Sequence, residues 1–219
     1  MKKILVLTLL LLTGSLLYAQ DRPRFWDDVQ TIKKYDEMYT PPADPILFVG
    51  SSSIRKWNDL ERTFAGYVVL NRGIGGAVTD DITYYAKDII FPYHPREIVL
   101  YIGENDVPDE KTTADSILNR TKHLMEVLRA QLPDVPVVYI SMKPSPSREI
   151  YQSKAKAANE LIRDYLKTEK NTTYIDIFNL MLTPDGKLRR ELFVEDMLHM
   201  NREGYKIWRA AVEPYLLKR

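Results

Sequence analysis

The chain has 219 residues, 45% of them hydrophobic and 28% charged, which suits one globular domain with a full core. A net charge of +1 supplies no basic surface for nucleic acid or an anionic membrane, so neither is expected as a partner. There is no cysteine, which excludes disulfides, thiolate metal sites and cysteine catalysis.

Lys2 and Lys3 precede an apolar run, Ile4 to Leu12, then Thr13-Gly14-Ser15 and Leu16-Leu17-Tyr18-Ala19. Residues 1–19 therefore read as a secretory signal with cleavage after Ala19. The run is shorter than the ~20 apolar residues of a membrane span. Lipid anchoring is excluded because no cysteine lies near the cut. The mature protein, residues 20–219, is expected as a single domain, periplasmic or secreted and without a stable membrane anchor.

Next, Phe25, Val29 and Ile32 recur at helical spacing beside Trp26 and Tyr35, and Pro41-Pro42 ends the pattern. Five apolar runs follow: Ile46 to Val49, Tyr67 to Leu70, Ile98 to Ile102, Val137 to Ile140 and Tyr174 to Phe178. The middle runs are apolar on both faces, as strands of a parallel sheet between helix layers must be. Between them lie helical stripes. One starts at Ala114 (Ile117, Leu118, Thr121, Leu124, Met125, Leu128, Leu132) and stops at Pro133. Another starts at Arg148 (Ile150, Ala157, Ala158, Leu161, Ile162, Tyr165, Leu166). A last helix begins near Asn201, a candidate N-cap, and carries Tyr205, Trp208, Val212 and Tyr215. This alternation predicts a doubly wound α/β sandwich. No internal repeat or low-complexity segment interrupts it.

Three runs end in unusual polar groups: Gly50-Ser51-Ser52, Asn71-Arg72-Gly73-Ile74-Gly75-Gly76, and Gly103-Glu104-Asn105-Asp106. Parallel strands put their C-terminal ends on one edge, where open α/β sheets carry their chemistry. Ser52 is the candidate nucleophile; the plainer reading is a serine turn that caps a helix. Gly73 to Gly76 read as a turn, or as a place where the Gly76 N–H approaches a ligand closely. They do not fit G-x-G-x-x-G, and no P-loop lysine follows. Asn105 and Asp106 read as caps of the next helix, or Asn105 as an amide donor to a developing oxyanion.

A serine nucleophile needs a base, and the base an orienting carboxylate. His123 sits on a polar helix face, and His94 precedes the third run, at the wrong edge. His199, in Asp196-Met197-Leu198-His199, is the histidine whose loop can reach the serine edge. The wide spacing of the histidines argues against a zinc site.

Together these four segments resemble the four blocks of the SGNH (GDSL) hydrolases, in the same order and across most of the mature chain. The resemblance implies a flavodoxin-like αβα sandwich with a five-stranded parallel sheet of order 2-1-3-4-5. It implies Ser52 as nucleophile, His199 as base and Asp196 as its partner. It also implies an oxyanion hole built from the Ser52 and Gly76 backbone N–H groups and the Asn105 side chain. Where the usual first block has aspartate this chain has Ser51, which leaves three adjacent serines; alignment on Gly50 selects Ser52. An α/β-hydrolase also runs serine, acid, histidine, but Gly50-Ser51-Ser52-Ser53-Ile54 is not G-x-S-x-G, and this serine follows the first strand.

The expected activity is ester hydrolysis through an acyl-enzyme, with no metal or organic cofactor. Substrates of this class are small or polysaccharide esters, and the short crossovers, with no cap or acyl tunnel, point to acetyl on carbohydrate. Trp57 and Tyr101 are candidate platforms for sugar rings, although core packing is the safer reading for Tyr101. The other readings are a lysophospholipase or lipase, and a non-catalytic glycan-binding module on the same fold.

Overall fold

The structure is a computed structural model that describes residues 22–218; the expected signal segment, 1–19, lies outside them. Five strands form one parallel sheet: β1 (Ile46–Gly50), β2 (Val69–Gly73), β3 (Glu97–Tyr101), β4 (Val137–Ile140) and β5 (Thr172–Ile175), in the order β2-β1-β3-β4-β5. The inner strands β1, β3 and β4 are buried along their whole length, whereas the edge strands β2 and β5 are half-buried. Alternate residues serve opposite cores. Leu47, Val49, Ile98, Leu100, Val137 and Tyr139 face one; Ile46, Phe48, Val99, Tyr101, Val138 and Ile140 face the other.

Helices α1 (Trp26–Met38), α4 (Thr79–Ile89), α5 (Ala114–Gln131) and α6 (Gln152–Leu166) cover the first face. The short helices α2 (Ser52–Arg55) and α3 (Leu60–Thr63), with α7 (Arg202–Val212), cover the second. This is the expected three-layer sandwich in the expected strand order.

Boundaries shift where backbone pairing and apolarity part company. β2 starts two residues after Tyr67 and runs on into Asn71, Arg72 and Gly73, which pair with Phe48, Val49 and Gly50. A polar edge strand pairs through its backbone without an apolar signal. β3 is displaced by one residue from the expected run. β5 starts at Thr172 and stops at Ile175, because the N–H groups of Ile177 and Phe178 leave the ladder and bond the buried Ser141 Oγ at 3.0 and 3.2 Å. Arg148 lies within a 3₁₀ turn, Pro146–Tyr151, rather than at the start of α6; Ile150 is 84% exposed and Ala157 also faces solvent. Tyr215 is likewise exposed, in a 3₁₀ turn beyond α7. Asn201 does cap α7, its Oδ1 accepting from Glu203 N at 3.0 Å and Gly204 N at 3.2 Å. Among the described residues no helix is long and apolar enough to cross a membrane.

Gly50 ends β1 at φ 149°, and a Cβ there would lie 1.9 Å from the Tyr101 carbonyl oxygen. That same oxygen accepts the Ser51 N–H at 3.1 Å, which turns the chain into α2. Gly50→Ala is expected to destabilise by roughly 2–5 kcal/mol, through strain plus overpacking of an inner strand. Urea unfolding reads this directly, and a wild-type midpoint would show that the strand end can relax.

Candidate active site

Ser52 is the first residue of α2, at the C-terminal edge of the sheet. Ser51 precedes it in extended conformation and caps the turn with its carbonyl, which accepts from Ile54 N at 3.0 Å and Arg55 N at 3.1 Å. Ser51 and Ser53 are each only 1% exposed, whereas Ser52 is half-buried. The Ser52 Oγ lies 2.9 Å from His199 Nε2. Of the three adjacent serines, the one aligned on Gly50 thus meets the histidine.

Asp196 to His199 form a tight turn closed by the aspartate itself. Asp196 Oδ1 accepts from Leu198 N at 2.9 Å and His199 N at 2.8 Å, an arrangement typical of aspartate in turns. Met197, at φ 54°, supplies the left-handed step. Val194 N donates to His199 O at 2.9 Å, and the α7 cap at Asn201 follows at once, so the turn is held on both sides. Asp196 Oδ2 is left for His199 Nδ1, at 2.6 Å. Burial raises the carboxyl's proton affinity, but hydrogen bonds from the His199 ring and from the His199 and Leu198 backbone outweigh it. They hold the group well below the usual carboxylate range. Facing an ionised carboxylate, the imidazole carries its proton on Nδ1 and presents the Nε2 lone pair to the Ser52 hydroxyl.

Block two joins the site through the backbone. Asn71 Nδ2 donates to Ile54 O at 2.7 Å and its Oδ1 accepts from Gly73 N at 3.0 Å, tying the end of β2 to α2. Gly76 is exposed and holds φ 83°, a left-handed conformation that glycine adopts without strain. Asn105 follows β3, and its Nδ2 donates to Ala77 O at 2.9 Å. The amide of Asn105 therefore sits against the Gly76-Ala77 segment, with a second Nδ2 hydrogen to spare.

Neither Asn105 nor Asp106 caps the helix that follows. Thr113 does, accepting from Ser116 N at 3.1 Å. The buried Asp106 instead accepts from Thr79 N at 3.0 Å and Thr79 Oγ1 at 3.1 Å, and pairs with Arg120 at 2.7 Å, bracing α4 against α5. His94 lies before β3, at the opposite edge, and His123 is exposed beside Glu126.

Residues 47–207 match the model of the GDSL-like lipase/acylhydrolase family. The chain belongs to that family. Solved structures share its fold. A Streptococcus pneumonia protein described as a platelet activating factor superposes with TM-score 0.76 at 21% identity, over 97% of this chain and 99% of that one. A GDSL-like lipase from Bacteroides thetaiotaomicron gives 0.70 at 18% identity, covering 85% and 95%. An acetyl-xylooligosaccharide esterase mutant from Geobacillus stearmophilus gives 0.62 at 15% identity, covering 80% and 95%. No curated protein sequence matches the chain.

One feature of this acylhydrolase departs from the sequence reading. Trp57 is no sugar platform: it is 1% exposed and packs against Phe48, Phe64, Tyr205 and Trp208. Tyr101 is wholly buried, in line with the core packing preferred for it. The sequence reading also missed three residues that touch the predicted site. Arg24 Nη2 donates to Gly76 O at 3.2 Å, and the Phe25 ring lies 3.8 Å from where a Gly76 Cβ would stand. Arg148 Nη2 donates to Asn105 Oδ1 at 2.7 Å. For Arg148 the available signal was position: Lys143-Pro144-Ser145-Pro146 follows β4 at the same sheet edge as the other blocks.

Proposed function

We propose that this acylhydrolase is a serine esterase that removes short acyl groups, acetyl above all, from carbohydrate, and that it works in the periplasm or outside the cell. The observation that carries the chemistry is the relay Ser52 Oγ to His199 Nε2 at 2.9 Å and His199 Nδ1 to Asp196 at 2.6 Å. Its order and tautomer are those a hydroxyl nucleophile requires. Ser52 Oγ attacks the ester carbonyl as its proton passes to His199 Nε2. The oxyanion is met by the Ser52 and Gly76 N–H groups and by Asn105 Nδ2. The His199 proton then goes to the leaving alkoxide, and the acyl group stays on Ser52. Water gives its proton to the same Nε2 as it attacks the acyl carbon; the bond from that carbon to Ser52 Oγ then breaks, the Nε2 proton returns to Oγ, and the carboxylic acid leaves. Asp196 stabilises the imidazolium at both stages.

The preference for short acyl groups rests on what surrounds Ser52. Between β5 and Asp196 the chain makes two 3₁₀ turns and isolated antiparallel bridges, Leu182 to Leu188 and Phe193 to Met200, with no longer helix or strand. A long acyl chain left in water forfeits the ~0.8 kcal/mol that each buried CH₂ contributes. A groove of about 680 Å³, lined by Tyr35, Arg55, Asn58, Glu61 and Gly73 among others, lies beside α2, and none of Ser52, Gly76, Asn105, Asp196 and His199 lines it. The carbohydrate esterase among the structural relatives supports the same substrate class by analogy. Export is supported by the leader-like segment 1–19.

A fluorophosphonate is expected to label the protein at Ser52, which a glycan-binding module would not allow. With p-nitrophenyl esters from acetate to palmitate, kcat/KM should be highest at acetate and fall with chain length, and an acetylated oligosaccharide should be turned over. A steady rise with chain length would make the enzyme a lipase or lysophospholipase. Asn105→Ala should lower kcat by roughly 10²–10³-fold at little change in KM, as loss of an oxyanion donor does. A change confined to KM would make Asn105 a substrate-binding residue.

A further inference from the structure

We propose that Arg148 is a positioning residue for this reaction: it locks the Asn105 amide in the one orientation that aims its free Nδ2–H at the substrate oxyanion. The proposal rests on the serine-esterase reading above. Arg148 lies on the 3₁₀ turn after β4 and reaches block three with both ends of its fork. Nη1 donates to Glu104 O at 2.6 Å and Nη2 to Asn105 Oδ1 at 2.7 Å. Its side chain is 19% exposed, so both bonds are largely shielded from water.

The geometry of a primary amide supplies the reason. Asn105 gives one Nδ2 hydrogen to Ala77 O and takes a hydrogen from Arg148 at Oδ1. Flipped by 180°, the amide would set its NH₂ against the guanidinium N–H and its oxygen against the Ala77 carbonyl. Both contacts become repulsive, so one orientation is left. In that orientation the second Nδ2 hydrogen has a fixed direction before substrate arrives, which is what makes an oxyanion donor effective. A cation on Oδ1 also draws electron density from the amide and sharpens the N–H dipole.

The guanidinium is itself held. The buried Glu104 carboxylate lies 3.7 Å from Nη1 and also takes Lys143 Nζ at 2.5 Å, Tyr101 OH at 2.6 Å and the Ser145 hydroxyl. Burial opposes ionisation of Glu104, but Lys143 and Arg148 outweigh it and hold the carboxyl below its ordinary value, so the anchor is charged. The residue before Arg148 reaches the other half of the site: Ser147 N donates to Met197 O at 2.9 Å, inside the turn that carries Asp196 and His199. One short turn therefore sets the amide donor and contacts the acid–base loop.

The test is a double-mutant cycle on p-nitrophenyl acetate, with Ser52→Ala run alongside. Arg148→Ala should lower kcat by about 10- to 100-fold, the cost of a misplaced catalytic group, with KM changed less than about threefold. In the Asn105→Ala background the same change should cost less than about threefold, because the group it positions is gone. Added guanidinium ion should restore part of the Arg148→Ala rate and none of the double variant's. Equal losses in both backgrounds, or a loss confined to KM, would overturn the proposal. If Arg148→Ala does not fold, Arg148→Gln and Arg148→Lys carry the same cycle, since neither reproduces the fork. Should Ser52→Ala stay active, the esterase reading fails and this proposal with it. Should Ser52→Ala be dead while the losses are equal, only the role of Arg148 fails.

Discussion

Ser52→Ala is expected to lower kcat by roughly 10⁴–10⁶-fold and to abolish fluorophosphonate labelling, with the fold intact. The side chain is half-buried and makes one hydrogen bond to His199, so its loss should cost no more than about 1 kcal/mol of stability. Its neighbours give the contrast. Ser51→Ala and Ser53→Ala remove hydroxyls that are 1% exposed, and Ser53 Oγ is buried with no hydrogen-bond partner. Removing an unsatisfied buried hydroxyl is neutral to stabilising, so Ser53→Ala should keep both rate and fold. Measuring kcat, labelling and unfolding midpoint on all three variants separates nucleophile from structure. An inactive Ser53→Ala beside an active Ser52→Ala would place the nucleophile one residue further on.

The sheet edge was legible because each block interrupts an apolar run. Ile46 to Val49, Ile98 to Ile102 and Val137 to Ile140 are buried on both faces, and a continuous apolar run of that length marks an inner strand to within a residue of its end. His199 was legible by exclusion, since the other histidines belong to a polar helix face and to the far edge. Strand order came from the family resemblance alone, because parallel strands joined by similar helices give no local signal of who pairs with whom.

What stayed hidden shares a different physics. Asn71, Arg72 and Gly73 pair with β1 through backbone groups that every residue carries, so their side chains say nothing of it. Trp57 could not be told from a surface platform until Phe48, Phe64, Tyr205 and Trp208 were seen around it. Arg148 meets Asn105 across 43 residues of chain, and a bond between two polar side chains that far apart leaves no pattern in either neighbourhood. Glu104 stood in plain view within its block, yet its burial with Lys143 came only from the fold.

Asp196→Asn is expected to cost turnover about 10⁴-fold while stability barely moves. The turn itself dictates this. Asp196 Oδ1 accepts from two backbone N–H groups, at 2.9 and 2.8 Å, and Oδ2 accepts from His199 Nδ1. An asparagine must satisfy the two backbone donors with its carbonyl oxygen, because its NH₂ cannot accept. Its NH₂ then faces His199 Nδ1, which has to become an acceptor. The ring proton moves to Nε2, where it points at Ser52 Oγ, and the base has lost the lone pair it needs. The turn keeps its backbone bonds, and the partly exposed carboxylate gives up little to the change. Steady-state kinetics on p-nitrophenyl acetate, paired with thermal unfolding, read both halves of the expectation. Turnover near that of the wild type would mean that another group sets the His199 tautomer. A large drop in unfolding temperature alongside lost turnover would instead make Asp196 a residue that holds the turn together rather than one that sets the proton.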